Sequence, residues 1–218
     1  EHQPQSDLGL FAEWARLNGI ARLSVGNQII CEHQAPWLTF GQVKVSPPPR
    51  GFTQATLQGE SALQGAVARA LNGVDVIIDL FSGMGTLGLP LVEVSTLHCV
   101  ENDEDLLNAL AHGVRHTQGI KKVTTEKRDL FQNPINHTDL VNYNGAIIDP
   151  PRAGAEQQVR QIAQSQLSDI AMVSCNPVSF ARDANLLVEG GYSLKWMEVV
   201  DQFRWSSHIE VVAHFSKN

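Results

Sequence analysis

Positive charge is scarce in this sequence. Sixteen Lys and Arg stand against 23 Asp and Glu over 218 residues, a formal charge of −7, which excludes a domain that holds nucleic acid mainly through bulk positive charge. Cysteine is scarce too. Cys31, Cys99 and Cys175 lie far apart, so no Cys-x-x-Cys pair or other zinc-type spacing exists, and the sparse, odd set of thiols fits a reducing compartment. No apolar run reaches the ~18 residues of a membrane span. The opening Glu1-His-Gln-Pro-Gln-Ser6 lacks the charged and apolar regions of a signal peptide, so a cytoplasmic protein with no membrane partner is expected. There are no internal repeats and no low-complexity tracts. What remains is ordinary globular composition, 43% hydrophobic and 18% charged with 17 Gly and 10 Pro, at a length that fits one full domain and part of a second.

Residues 1–50 read as a partial α+β region. A helix at 8–17 precedes two short strand-like runs, 21–25 and 28–32, parted by Gly26-Asn27, which is a hairpin signal. Ser46-Pro-Pro-Pro-Arg-Gly51 cannot be helical and predicts a stiff, extended connector, which sets the domain boundary. After a helix at 60–71 the signal changes. Apolar strand-like runs at 74–80, 97–100, 123–126, 146–148, 170–173, 194–200 and 209–215 alternate with helices, one starting near Leu87 and others at 104–116, 155–164 and 180–189. This is the pattern of βαβ units and a parallel sheet. The last two runs have no crossover helix between them, so they should pair antiparallel at the sheet edge.

Chemistry gathers after the strands. Asp79-Leu-Phe-Ser-Gly-Met-Gly-Thr86 follows the first, where Gly83 and Gly85 allow a tight turn and close approach of a ligand. A third glycine of the dinucleotide fingerprint is missing, and Asp79 would repel a pyrophosphate while accepting a cationic group. Glu101 ends the second strand about twenty residues on, where a carboxylate can hold a ribose. With Asp129 after the third strand, these residues favour an adenosine cofactor without a diphosphate, S-adenosylmethionine, over a nicotinamide. Asp149-Pro-Pro-Arg-Ala-Gly154 follows the fourth strand. Methyltransferases of exocyclic amino groups resemble it but place an aromatic residue where Arg152 stands. Ser174-Cys-Asn-Pro177 follows the fifth, and Cys175 beside a helix start is expected to be exposed with a lowered thiol pKa; Cys31 and Cys99 read as buried hydrophobes.

In chain order, Phe52-Thr-Gln54, the Asp79–Gly85 motif, Asp149–Gly154, Ser174–Pro177 and Asp201-Gln-Phe203 with His208-Ile-Glu210 resemble the motifs of the RNA (uracil-5-)-methyltransferases, which make 5-methyluridine in transfer or ribosomal RNA. The likeness is close over 51–218 and loose before it. It implies a Rossmann-like class I S-adenosylmethionine-dependent methyltransferase fold: an α/β domain over 51–218 with a mostly parallel seven-stranded sheet, its last strand antiparallel, behind a small α+β remnant over 1–50. Uracil C5 is too weak a nucleophile to attack a methyl sulfonium unaided. The resemblance assigns Cys175 to add to C6 and Glu210 to remove the C5 proton. Gln54, Phe81, Gly83, Gly85, Thr86, Glu101, Asp129 and Asp149 match cofactor positions, with Thr86 where relatives often carry Asn. Phe52 is the stacking platform for the base, and Arg152 and Asn176 fall on the substrate side.

The implied partner is RNA, 23S rRNA first and tRNA as the alternative, presenting an extruded or unpaired uridine to a monomer. Cytosine-5 methylation and a catalytically silent cofactor- or RNA-binding module are the other readings. Arg152 and Arg182 stay open between surface salt bridges and RNA phosphate. His208 is expected to be structural rather than a base or metal ligand. Ser82 replaces a common cysteine, and Arg204-Trp-Ser206 departs from the family's proline-containing loop. Many relatives carry an amino-terminal TRAM domain and cysteines for an iron–sulfur cluster. Neither is visible here, so such a cluster enters only with ligands from an amino-terminal part, and the sequence reads as a carboxy-terminal piece whose electrostatic capture of RNA is delegated elsewhere.

Overall fold

The computed structural model describes residues 5–203, 205–206 and 208–217. Arg204 of the divergent loop lies outside the described residues. Helix α1 (Gln5–Leu17) and the hairpin β1 (Arg22–Val25) and β2 (Gln28–Glu32) come first, turning at Gly26 with φ +60°. A second hairpin, β3 (Leu38–Phe40) and β4 (Val43–Val45), follows. Its strands of three residues are too short to show periodicity in sequence. The proline tract is irregular and closes in a turn, with the Gly51 N–H donating to the Pro48 carbonyl at 3.0 Å.

From there strands and helices alternate: α2 (Leu57–Ala70), β5 (Val76–Leu80), β6 (Thr96–Glu101), α3 (Glu104–Arg115), β7 (Val123–Lys127), β8 (Gly145–Ile148), α4 (Glu156–Ala163), β9 (Asp169–Ser174), α5 (Pro177–Glu189), β10 (Ser193–Val200) and β11 (Glu210–Ser216). The seven-stranded sheet has the order β10-β11-β9-β8-β5-β6-β7, with β11 antiparallel to both neighbours and the other pairings parallel. The predicted parallel sheet and the antiparallel closing pair are both present.

Strand alternation fills two cores. Ile77, Leu97, Ile147 and Val173 face α2, α3 and the β3–β4 hairpin, which adds Phe40, Val43 and Val45. Ile78, Val100, Ile148 and Met172 face α4 and α5. Each fully buried Val, Ile or Leu contributes roughly 1.5–3 kcal/mol, so burial on both faces holds the central strands firmly.

One element departs from expectation. Where a helix was predicted near Leu87 there are turns and a single 3₁₀ turn, Leu89–Leu91. Pro90 has no N–H to give, and Gly85 and Gly88 precede it, so an α-helical ladder cannot propagate. No helix among the described residues is long and apolar enough to cross a membrane.

Candidate active site

Strands β5, β6, β7, β8 and β9 end along one edge of the sheet, and β11 starts there. Asp79, next to last in β5, is 1% exposed. Its Oδ2 and the Ser82 hydroxyl are buried with no hydrogen-bond partner among the described residues. Burial pushes the Asp79 carboxyl well above the usual range, the charges of Asp149 and Glu101 add to the rise, and the Gly88 backbone N–H opposes it. A Cβ at Gly88 would overlap Asp79 Oδ2.

The chain then turns through left-handed conformations. Phe81 has φ +62°, uncommon for a bulky side chain, followed by Gly83 at +54° and Gly85 at +89°. Glu101 pins this turn from the next strand: its carboxylate accepts from the N–H groups of Gly83 (3.0 Å), Asn102 (2.7 Å) and Asp103 (3.0 Å). After β7, Asp129 accepts from the Phe131 N–H at 2.9 Å and folds a turn that sets Phe131 against Phe81, ring centres 5.4 Å apart.

After β8, the Gly154 N–H donates to the Pro151 carbonyl at 2.8 Å, so the Pro-Pro loop folds back. Arg182 braces it, donating to the Ala153 carbonyl while pairing with buried Asp183 at 2.7 Å. Its guanidinium is thus engaged within the chain. The Arg152 carbonyl accepts from Asn176 Nδ2 (2.9 Å) and Ser179 Oγ (3.1 Å). Asp149, half-buried, is pushed up to about 7 by burial and then by Glu210.

Cys175 comes directly after β9. Asn176 caps α5 by accepting from the Val178 N–H at 3.0 Å, so the thiol stands beside a helix start as expected. Its pKa nonetheless moves opposite to expectation. Burial raises it first, then Glu210 and Asp149, and these outweigh the backbone and Arg152. In the antiparallel register Val211 pairs with Ser174, and continuing that register sets Glu210 opposite Cys175. Burial raises the Glu210 carboxyl as well.

A cavity of about 560 Å³ joins these parts. Of the predicted residues, Cys175, Glu210, Asp149, Arg152, Phe52, Gln54, Phe81, Gly83, Thr86, Glu101 and Asp129 line it. Gly85 and Asn176 do not line it. Gly85 is a packing position, where a Cβ would meet Leu89 at 2.6 Å, and the Asn176 side chain is engaged by α5 and Arg152. The His208 ring meets Phe203 edge-on. Sequence reading missed Asn102, Leu106, Arg128 and Phe131, which also line the cavity. Gln202 of the Asp201–Phe203 motif, to which sequence reading gave no role, donates to Gln54 Oε1 at 2.8 Å. Asn102 and Phe131 lie one and two residues beyond acids already singled out, a usable signal.

The profile of the tRNA (uracil-5-)-methyltransferase family matches residues 111–218. An uncharacterized RNA methyltransferase of Mesorhizobium japonicum is 43% identical over the whole chain and 52% of its own length, and one of Agrobacterium fabrum is 45% identical over 92% of the chain and 48% of its own length. The carboxy-terminal half of the chain belongs to the RNA (uracil-5-)-methyltransferase family. The chain spans about half the length of these curated relatives. The 23S rRNA (uracil(1939)-C(5))-methyltransferase RlmD of Aliivibrio salmonicida is 29% identical over 84% of the chain and 43% of its own length. The fold is that of the Pyrococcus abyssi tRNA (uracil-54, C5)-methyltransferase solved with S-adenosyl-L-homocysteine (TM-score 0.73, 23% identity, 86% of this chain and 46% of that one).

Proposed function

We propose that this chain is a catalytic unit that binds S-adenosylmethionine and methylates C5 of a uridine in RNA, with 23S rRNA as the substrate. The observation that carries the reading is one cavity bearing, at adjacent strand ends, a thiol and a carboxylate, Cys175 and Glu210, beside a buried carboxylate, Asp79, whose Oδ2 has no hydrogen-bond partner among the described residues. That orphaned atom and the acidic wall fit a cationic ligand and not a pyrophosphate. Asp79, Glu101 and Gln54 would hold the cofactor, with Phe81 and Phe131 as its aromatic wall. Bound there, S-adenosylmethionine supplies an electrophilic methyl group.

The protein supplies the rest. Phe52, 69% exposed at the cavity rim, stacks on an extruded base. Cys175 adds to C6 and makes C5 nucleophilic, and Glu210 takes the C5 proton so that the thiol can leave. The catalytic domain is assigned to 51–218, braced by the β3–β4 hairpin. The Aliivibrio relative supports the ribosomal substrate. Incubation of 23S rRNA and tRNA lacking 5-methyluridine with deuteriomethyl S-adenosylmethionine, followed by nucleoside mass spectrometry, is expected to give labelled 5-methyluridine from the 23S rRNA. Label in 5-methylcytidine, or in neither nucleoside, refutes the reading, and label from tRNA alone refutes the substrate.

A further inference from the structure

We infer that Asp149 is the acceptor of the Cys175 thiol proton, taking it as sulfur adds to uracil C6 and so keeping Glu210 free for the C5 proton. The inference rests on the reaction proposed above.

Its basis is a count of protons set against a row of three strand ends. Strands β8, β9 and β11 are neighbours in the sheet. Ile148 of β8 pairs with Met172 of β9, and Ser174 of β9 pairs with Val211 of β11. By that register Asp149 follows β8 at the level of Val173, Cys175 follows β9 two residues further along, and Glu210 begins β11, so the thiol stands on the middle one of three adjacent strands, spaced roughly 4.8 Å from each neighbour, with all three residues on one cavity. Addition forms the S–C6 bond and breaks S–H, sending the C5=C6 electron pair into the enolate. C5 then takes the methyl group. Breaking C5–H restores the double bond and expels sulfur. Two protons thus leave their atoms before the product is free, and one carboxylate cannot hold both.

The other carboxylates are occupied or further off. Glu101 already accepts from three backbone N–H groups and Asp129 from two. Asp79 belongs to β5, which lies on the far side of β8 from β9. The groups acting on the thiol are Glu210 from β11 and Asp149 and Arg152 from the loop after β8, and Glu210 in turn acts on Asp149. Together they keep the thiol protonated in the free protein, so catalysis needs an acceptor. Asp149, near 7, is matched to give and take a proton at neutral pH. On elimination the thiolate takes its proton back from Asp149, and Glu210 releases the C5 proton to solvent.

The test is Asp149→Asn with two readouts that move in opposite directions. In the free protein, removing a like charge increases the thiolate fraction, so iodoacetamide should alkylate Cys175 faster at neutral pH. With RNA carrying 5-fluorouridine and saturating S-adenosylmethionine, covalent complex should form about 10²-fold more slowly, as for loss of a general base. Its rate should then rise only as the thiol itself titrates. Asp149→Glu, which keeps an acceptor, should retain most of the rate and serves if the Asn variant does not fold. Complex formation in Asp149→Asn as fast as in the wild type, or faster in step with alkylation, overturns the assignment. No complex with the wild-type protein overturns the reaction itself, and the assignment with it.

Discussion

Asp149 links the site to the stability of the unliganded protein. Its carboxyl titrates near 7 in the fold against 3.8 ordinarily, so between those values the folded state holds a proton that the unfolded chain has released. Stability from this group is present below the ordinary value and is lost as pH rises to about 7. The melting temperature of the free protein should accordingly fall over that window, and Asp149→Asn should flatten the fall. Parallel pH profiles for the two proteins would count against a raised carboxyl at this position. That Cys175 and Glu210 meet at one cavity was legible in sequence, because each sits in a motif at a strand end. The direction of the thiol's shift was not. It depends on two carboxylates brought from β8 and β11, and no local window around Ser174-Cys-Asn-Pro177 contains them.

At the scale of elements, the strands read well because burial on both faces makes them continuous apolar runs. The β3–β4 hairpin and the 3₁₀ turn at Leu89–Leu91 did not, the first for shortness and the second because Pro90 overrode an otherwise helical stretch. The cofactor-side loop also divides its glycines by function. Gly83 has a positive φ but open space around a would-be Cβ, whereas Gly85 combines φ +89° with Leu89 at 2.6 Å and Leu110 at 3.0 Å. Gly83→Ala should therefore cost about 1 kcal/mol in urea unfolding, and Gly85→Ala about 1–3 kcal/mol more. Equal costs would show that the loop relaxes away from Leu89. Phe131 escaped the sequence reading because its place on the cavity depends on the turn that Asp129 nucleates and on contact with Phe81 from another loop.

For the whole molecule, the charge of −7 takes on a location. Asp79, Glu101, Asp129, Asp149 and Glu210 all line one cavity, where they suit a cationic cofactor and proton transfer rather than phosphate. The other 18 acidic residues (23 − 5) still outnumber the 16 basic ones, so there is no positive excess to attract a polyanion, and this chain should pass through heparin at 150 mM salt, a concentration that already screens weak phosphate contacts. Retention there would mean that a basic face has been overlooked. The central claim is narrower: a covalent bond from this site to uracil. Mass spectrometry of the protein after incubation with 5-fluorouridine RNA and S-adenosylmethionine tests it most directly. The account predicts a nucleotide adduct on the Cys175 peptide, absent in Cys175→Ala and persisting in Glu210→Gln. An adduct that forms equally well without Cys175 would contradict it.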